Sequence, residues 1–272
     1  MEAEGAHRSL ILAGRHPVLE ALRGRARPIE EVLVETEARD RHADILALAR
    51  QGGVRFSRVP RAALTSLAGT AHHQGVVARV APREYADLED LLAVPATRGE
   101  PALFVALDQV QDPGNVGNLL RTAEALGVHG ALVPRHQAAG LTPQVVRAAA
   151  GALEHLPVAR VGNLGQALER LKREGCWIVG AVAEDRDSQA SRGAPPPWAA
   201  DLRGPLVLVL GSEGRGLRPL VARTCDLLVS IPLAGRVASL NVAAAGAALL
   251  YEVRRQRQGQ PRPPPDKNSV DT

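Results

Sequence analysis

Apolar positions along the chain switch between two periods. Residues 18–23 (VLEALR) and 44–50 (DILALAR) repeat at helical spacing, and the second run stops at Gly52-Gly53. Residues 30–34 (EEVLV), 54–59 (VRFSRV) and 75–80 (GVVARV) read as strands, and residues 61–69 (RAALTSLAG) as a short helix. The segment 8–82 is therefore a small α/β unit. After residue 101 the signals strengthen. Residues 102–110 (ALFVALDQV), 130–134 (GALVP), 176–183 (CWIVGAVA), 205–211 (PLVLVLG) and 226–232 (DLLVSIP) are strands. Between and after them lie helices at 118–126 (NLLRTAEAL), at 163–174 (NLGQALERLKRE) and, longest of all, at 239–257 (SLNVAAAGAALLYEVRRQR). Continuous apolar strands such as PLVLVLG suit a parallel sheet buried on both faces. Strands alternating with helices imply such a sheet covered by helices. Residues 83–100 change composition and read as a connector with one short helix. Residues 258–272 lack apolar content and read as a disordered tail.

Composition narrows the classes. No apolar run of about 18 residues exists, so no membrane span is expected. The first residues carry acids where a signal peptide needs basic ones, and with two cysteines, Cys176 and Cys225, this favours a reducing cytoplasm. All but two of the 33 basic residues are arginine, the exceptions being Lys172 and Lys267, and the net charge is +4. Arginine forks bind phosphate, which leans towards a polyanionic partner. Aromatic residues are only 2%, too few for a sheet that stacks bases on rings.

Ligands of parallel α/β sheets bind at the loops beyond the strand C-termini. Three such loops carry chemistry. The first, Asp108 to Arg121, turns at Pro113-Gly114, offers Asn115 as a helix cap, and sets Asn118 and Arg121 on one helix face. An amide and a fixed cation there suit a phosphate or a developing oxyanion. The second is Gly211-Ser212-Glu213-Gly214-Arg215-Gly216, whose glycines let backbone approach a ligand. Its spacing is not that of the dinucleotide fingerprint, which argues against a nicotinamide-linked enzyme. The third, Ile231 to Asn241, holds Ser239 and Asn241 where the last helix begins, with no hydrolase elbow around the serine. His72-His73 lack partners at metal-ligand spacing, so no metal is expected.

In order, N-x-G-N-L-x-R, L-G-S-E-G-x-G and I-P-x-x-G-x-x-x-S-L-N-V resemble the three motifs of the SpoU (TrmH-like) branch of the SPOUT RNA methyltransferases. Residues 14–22 (GRHPVLEAL) and 73–78 (HQGVVA) resemble the L30e-like substrate-binding domain of the bacterial 23S rRNA guanosine 2′-O-methyltransferase group. His16, His72 and Ala243 depart from residues common in the family. The resemblance implies an α/β-knot domain over 101–257 with a deep trefoil knot, an RNA-binding domain over 8–82, and a homodimer. It implies S-adenosylmethionine as cofactor, held at Gly211, Ile231 and Leu240. It places Arg121, Asn115, Glu213, Ser239 and Asn241 in the catalytic site, with Arg121 supported by Asn115. Arg15, Arg23, Arg25 and Arg27 become candidate RNA contacts. The implied activity is ribose 2′-O-methylation of 23S rRNA at a guanosine. Methylation of tRNA, and a non-catalytic RNA-binding paralogue in ribosome assembly, stand as alternatives.

Overall fold

The computed structural model describes residues 9–38, 41–183, 193–237 and 239–259. The first unit contains β1 (Leu10–Ala13), α1 (Arg15–Gly24), β2 (Ile29–Glu35), α2 (Ala43–Gln51), β3 (Arg55–Val59), α3 (Arg61–Ala68) and β4 (Val76–Val80). Its sheet runs β1-β4-β2-β3, with β4 antiparallel to both neighbours and β2 parallel to β3.

The second unit contains α4 (Leu88–Arg98), β5 (Leu103–Asp108), α5 (Pro113–Ala125), β6 (Gly130–Pro134), α6 (Pro143–Ala148), β7 (Val158–Val161), α7 (Leu164–Arg173), β8 (Trp177–Val182), β9 (Leu206–Gly211), α8 (Pro219–Thr224), β10 (Leu227–Ser230) and α9 (Val242–Arg257). Its strand order is β10-β8-β9-β5-β6-β7, and every pairing is parallel. The central strands β5 and β9 are buried along nearly their whole length, as their unbroken apolar runs require. On one face Phe104, Leu132, Ile178 and Val207 pack with Leu164, Leu168 and Leu171 of α7. On the other, Val105, Leu208 and Val229 pack with Leu119, Leu120, Leu249 and Leu250 of α5 and α9.

Three boundaries differ from the sequence reading. Helix α5 begins at Pro113, because Asp112 and not Asn115 is its cap: the Asp112 Oδ1 accepts from the Asn115 amide N–H at 2.7 Å. Helix α9 begins at Val242, because the Asn241 Oδ1 accepts from the N–H groups of Ala243 and Ala244, leaving Ser239 and Leu240 in the loop. The segment 83–100 is not a mere connector. Helix α4 fills most of it, opened by a reciprocal Asp87–Asp90 capping box, and its Leu91 is fully buried against the sheet. The predicted tail lies outside the described residues beyond Gly259.

The two units share one core. Leu12, Val18 and Ile45 of the first belong to the same buried cluster as Leu103, Leu120 and Leu153 of the second. At this seam the Arg27 Nη2 meets the Glu154 Oε1 at 2.6 Å, with both side chains at most 3% exposed.

Candidate active site at the strand ends

The three loops meet beyond the C-termini of β5, β9 and β10. The glycine turn after β9 is held shut by its own backbone. The Gly216 N–H donates to the Ser212 carbonyl at 2.9 Å. A Cβ on Gly211 would lie 2.2 Å from the Gly216 carbonyl carbon, so no other residue fits there. Gly214 (φ 82°) and Gly216 (φ 66°) take the left-handed conformation the turn demands. Just past it, the Arg218 N–H and Nε donate to the two carboxylate oxygens of fully buried Asp108 at 2.8 and 2.7 Å. The end of β5 is thereby tied to the end of the glycine turn. Asp108 and Arg218 are site-building residues that sequence reading missed. The signal was a lone acid closing an apolar strand.

Glu213 joins all three loops. Its Oε1 accepts from the Asn115 Nδ2 at 2.9 Å, the Asn241 Nδ2 at 2.6 Å and the Val242 N–H at 3.3 Å. The Asn241 Nδ2 also donates to the Asn115 Oδ1 at 2.8 Å. One residue from each motif thus forms a closed polar triangle.

Two cavities flank that triangle. The first, of about 340 Å³, is lined by Leu210, Gly211, Ile231, Leu233, Leu240, Val242 and Leu249, together with Ser239 and the backbone of the glycine turn. The second, of about 400 Å³, is polar, bordered by Gln109, Gln111, Asp112, Asn115, Gln137 and Arg215. Ser212, Glu213 and Val242 border both. The Ser212 Oγ is buried and makes no hydrogen bond among the described residues, a donor and acceptor left for a ligand.

All three residues predicted at the cofactor, Gly211, Ile231 and Leu240, line the first cavity, and so does Ser239. Asn115, Glu213 and Asn241 converge as described. Arg121 does not join them. It lies on the exposed side of α5, six residues or roughly 9 Å of helix beyond Asn115. Asn115 spends its amide on Glu213 and gives Arg121 no support. No hydrogen bond or ion pair engages Arg121 among the described residues.

Of the arginines predicted to meet RNA, Arg15 pairs with Asp44, Arg23 with Glu20 at 3.0 Å, and Arg25 is exposed in a left-handed turn closing α1. Arg27 is a correction: it is interior, spent on Glu154 and the Ala81 carbonyl, and has no free face for a phosphate. The thiols are poor nucleophiles. Burial pushes Cys176 up, and pushes Cys225 up to about 12. Among the described residues no group of three or more His, Cys, Asp or Glu side chains could hold a metal ion.

An all-parallel sheet whose C-terminal loops bracket paired apolar and polar cavities is the architecture of an α/β enzyme that binds its ligands beyond the strand ends. Residues 102–251 match the SpoU rRNA methylase family, and residues 11–86 match the RNA 2′-O ribose methyltransferase substrate-binding domain. The chain belongs to the SpoU methyltransferase family. It is 40% identical over 244 residues to a putative TrmH family tRNA/rRNA methyltransferase, YacO, of Bacillus subtilis, spanning 90% of this chain and 94% of that one. It is 41% identical over 256 residues to the 23S rRNA (guanosine-2′-O-)-methyltransferase RlmB of Ralstonia nicotianae, spanning 93% and 98%. Among solved structures, the SpoU methyltransferase AviRb of Streptomyces viridochromogenes, in complex with AdoMet, superposes with a TM-score of 0.73 at 29% identity, covering 92% of this chain and 91% of that one. An AdoMet-bound rRNA methyltransferase of Sinorhizobium meliloti gives 0.72 at 28%, covering 92% and 88%.

Proposed function

We propose that this protein transfers a methyl group from S-adenosylmethionine to the ribose 2′-oxygen of a guanosine in 23S rRNA, in the cytoplasm, as a homodimer. The observation that carries the reading is the Asn115–Glu213–Asn241 triangle set between an apolar and a polar cavity. The apolar cavity fits the cofactor. Leu210, Ile231, Leu240 and Leu249 offer walls for a purine ring. The turn 211–216 and the Ser212 Oγ offer polar partners. When bound, S-adenosylmethionine supplies a methyl group already activated by a sulfonium charge, so no metal is needed. The chain's own residues then have two tasks. Glu213, by fixing Asn115 and Asn241, holds the three loops in the one geometry in which oxygen, methyl carbon and sulfur can align. Arg121 meets the second need, stabilising the 2′-oxygen as its proton passes to water. A guanidinium keeps its proton inside a protein and so acts as a fixed charge rather than a base.

Arg121 makes no bond to its own chain's triangle among the described residues, and α9, which packs beside α5, carries an exposed stripe of Ala244, Ala248 and Tyr251. A second copy docked on that face would bring the partner's Arg121 to the site. The family's knot would be formed by the last two loops, those after β9 and β10. Two solved structures named for tRNA align over only 63% and 59% of this chain, against 92% for the rRNA methyltransferase of Sinorhizobium meliloti, which supports rRNA over tRNA. The test is incubation with methyl-labelled S-adenosylmethionine and separated RNA fractions, followed by alkaline hydrolysis. Label in an alkali-resistant dinucleotide of large-subunit RNA is expected. Label in tRNA would move the substrate, and none in any RNA would favour the non-catalytic alternative.

A further inference from the structure

We propose that the polar cavity seats the base of the acceptor nucleotide and is built to read guanine; this rests on the RNA-methylation reading above. The cavity shares Ser212, Glu213 and Val242 with the apolar one, so a base held there puts its ribose over the Asn115–Glu213–Asn241 triangle. About 400 Å³ admits a purine nucleoside.

Its walls are set by strain. Gln109 and Gln137, in the loops after the adjacent strands β5 and β6, both have left-handed backbones (φ 61° and 59°). Such conformations cost non-glycine residues free energy and persist where the surroundings impose them. Here they turn the two side chains towards each other, and the Gln109 Nε2 donates to the Gln137 Oε1. That bond leaves the Gln109 carbonyl oxygen as an acceptor and the Gln137 amide as a donor. The Asp112 Oδ1 is taken by the Asn115 N–H, which leaves Oδ2 to accept.

The Watson–Crick edge of guanine offers two adjacent donors, N1–H and the N2 amine, beside one acceptor, O6. Two acceptors and one amide donor complement that edge. Adenine offers one amine donor beside the N1 acceptor, so one of the two acceptors would be left unpaired. Uracil and cytosine present only one ring or amine donor. RNA bases are read on these edges when unstacked, lying against planar groups. With aromatic residues scarce, the Arg215 guanidinium at the cavity wall is the planar group available.

The experiment uses the full-length protein. The nucleotide it methylates is mapped, and four transcripts carrying G, A, C or U at that position are compared with wild type, Gln137→Asn and Asp112→Asn. Asparagine tolerates the left-handed backbone at 137 and still caps α5 at 112. Wild type should prefer G by at least about tenfold, and each variant should lose about tenfold of that preference, in line with one specific base contact. Calorimetric affinity for S-adenosylmethionine should stay within about twofold. A wild type indifferent to the base, or variants that slow all four transcripts equally, would overturn the proposal while leaving methylation intact. A wild type that methylates no RNA would remove the broader reading with it.

Discussion

Glu213 shows how much one oxygen can organise. Three donors, from the first turn of α5, the loop before α9 and the start of α9, end on its Oε1. Glu213→Ala should therefore loosen all three motifs at once. Single-turnover assays should show a rate loss of about 10²–10³-fold, the range for removing one preorganised polar group. Arg121 makes the opposite case, since no hydrogen bond or ion pair among the described residues holds it. If it acts as a fixed charge, Arg121→Lys should lower the rate at every pH and leave the shape of the pH–rate profile unchanged. A titrating limb that moves with the substitution would assign it the role of base. Histidines give a further residue-scale expectation. Burial first, then nearby Arg15 for His42, Arg61 for His73 and Arg98 for His129, pushes all three below their ordinary value. The Nδ1 of His73 accepts from the Gly75 N–H and that of His129 from the Leu103 N–H, bonds a protonated ring cannot accept. A depressed folded pKa means the unfolded chain takes the proton more readily, so stability falls as pH drops below about 6.5. Melting temperature should decline between pH 7 and 5, before carboxylates titrate, and His129→Gln should flatten part of that slope.

Helical glycines sort by what surrounds them. A Cβ on Gly117 of α5 would lie 2.4 Å from the Ala148 Cβ and 2.7 Å from the Val145 carbonyl oxygen of α6, neither of which can swing away. Gly117→Ala should cost about 1–3 kcal/mol in denaturant titrations despite the better helix propensity of alanine. Gly165 of α7 meets only the Asn163 Oδ1 at 3.4 Å, and Gly165→Ala should gain about 0.5–1 kcal/mol. At this scale most of the architecture was legible, because buried parallel strands and a helix such as α7, apolar at Leu164, Ala167, Leu168 and Leu171, write their period into the sequence. The short elements β1, β7 and α6 were not legible, since four to six residues carry too little pattern. Cap identity was misread at α5, where Asp112 and Asn115 are equally good caps and only the turn at Pro113 decides. Within the site, the motif residues were legible as a group. Their pairings, and the separation of Arg121 from Asn115, depend on helix phase and on loops far apart in sequence. Arg27 looked like a surface cation because its partner, Glu154, stands 127 residues away.

For the whole molecule, that ion pair and the shared core predict a single unfolding event. Trp177 and Trp198 both lie in the second unit, so fluorescence follows that unit alone while far-ultraviolet circular dichroism follows both. The two transitions should coincide in urea. Arg27→Ala leaves a carboxylate stranded in the interior and should cost about 3–5 kcal/mol, whereas Arg27→Met with Glu154→Leu should lie much nearer wild type.

A seam of this kind also limits how the protein can search. Gly24 and Gly151 sit so close to Glu154 and Glu20 that even a methyl group would crowd them, and side chains from both sides fill one interior. With the described residues of both units packed into one interior, the span from whatever the first unit grips to the site at the strand ends is set by that packing. An RNA would then qualify by shape, as a part measured between fixed jaws, and a helix lengthened by a few base pairs would carry its sugar out of reach even with every local nucleotide unchanged.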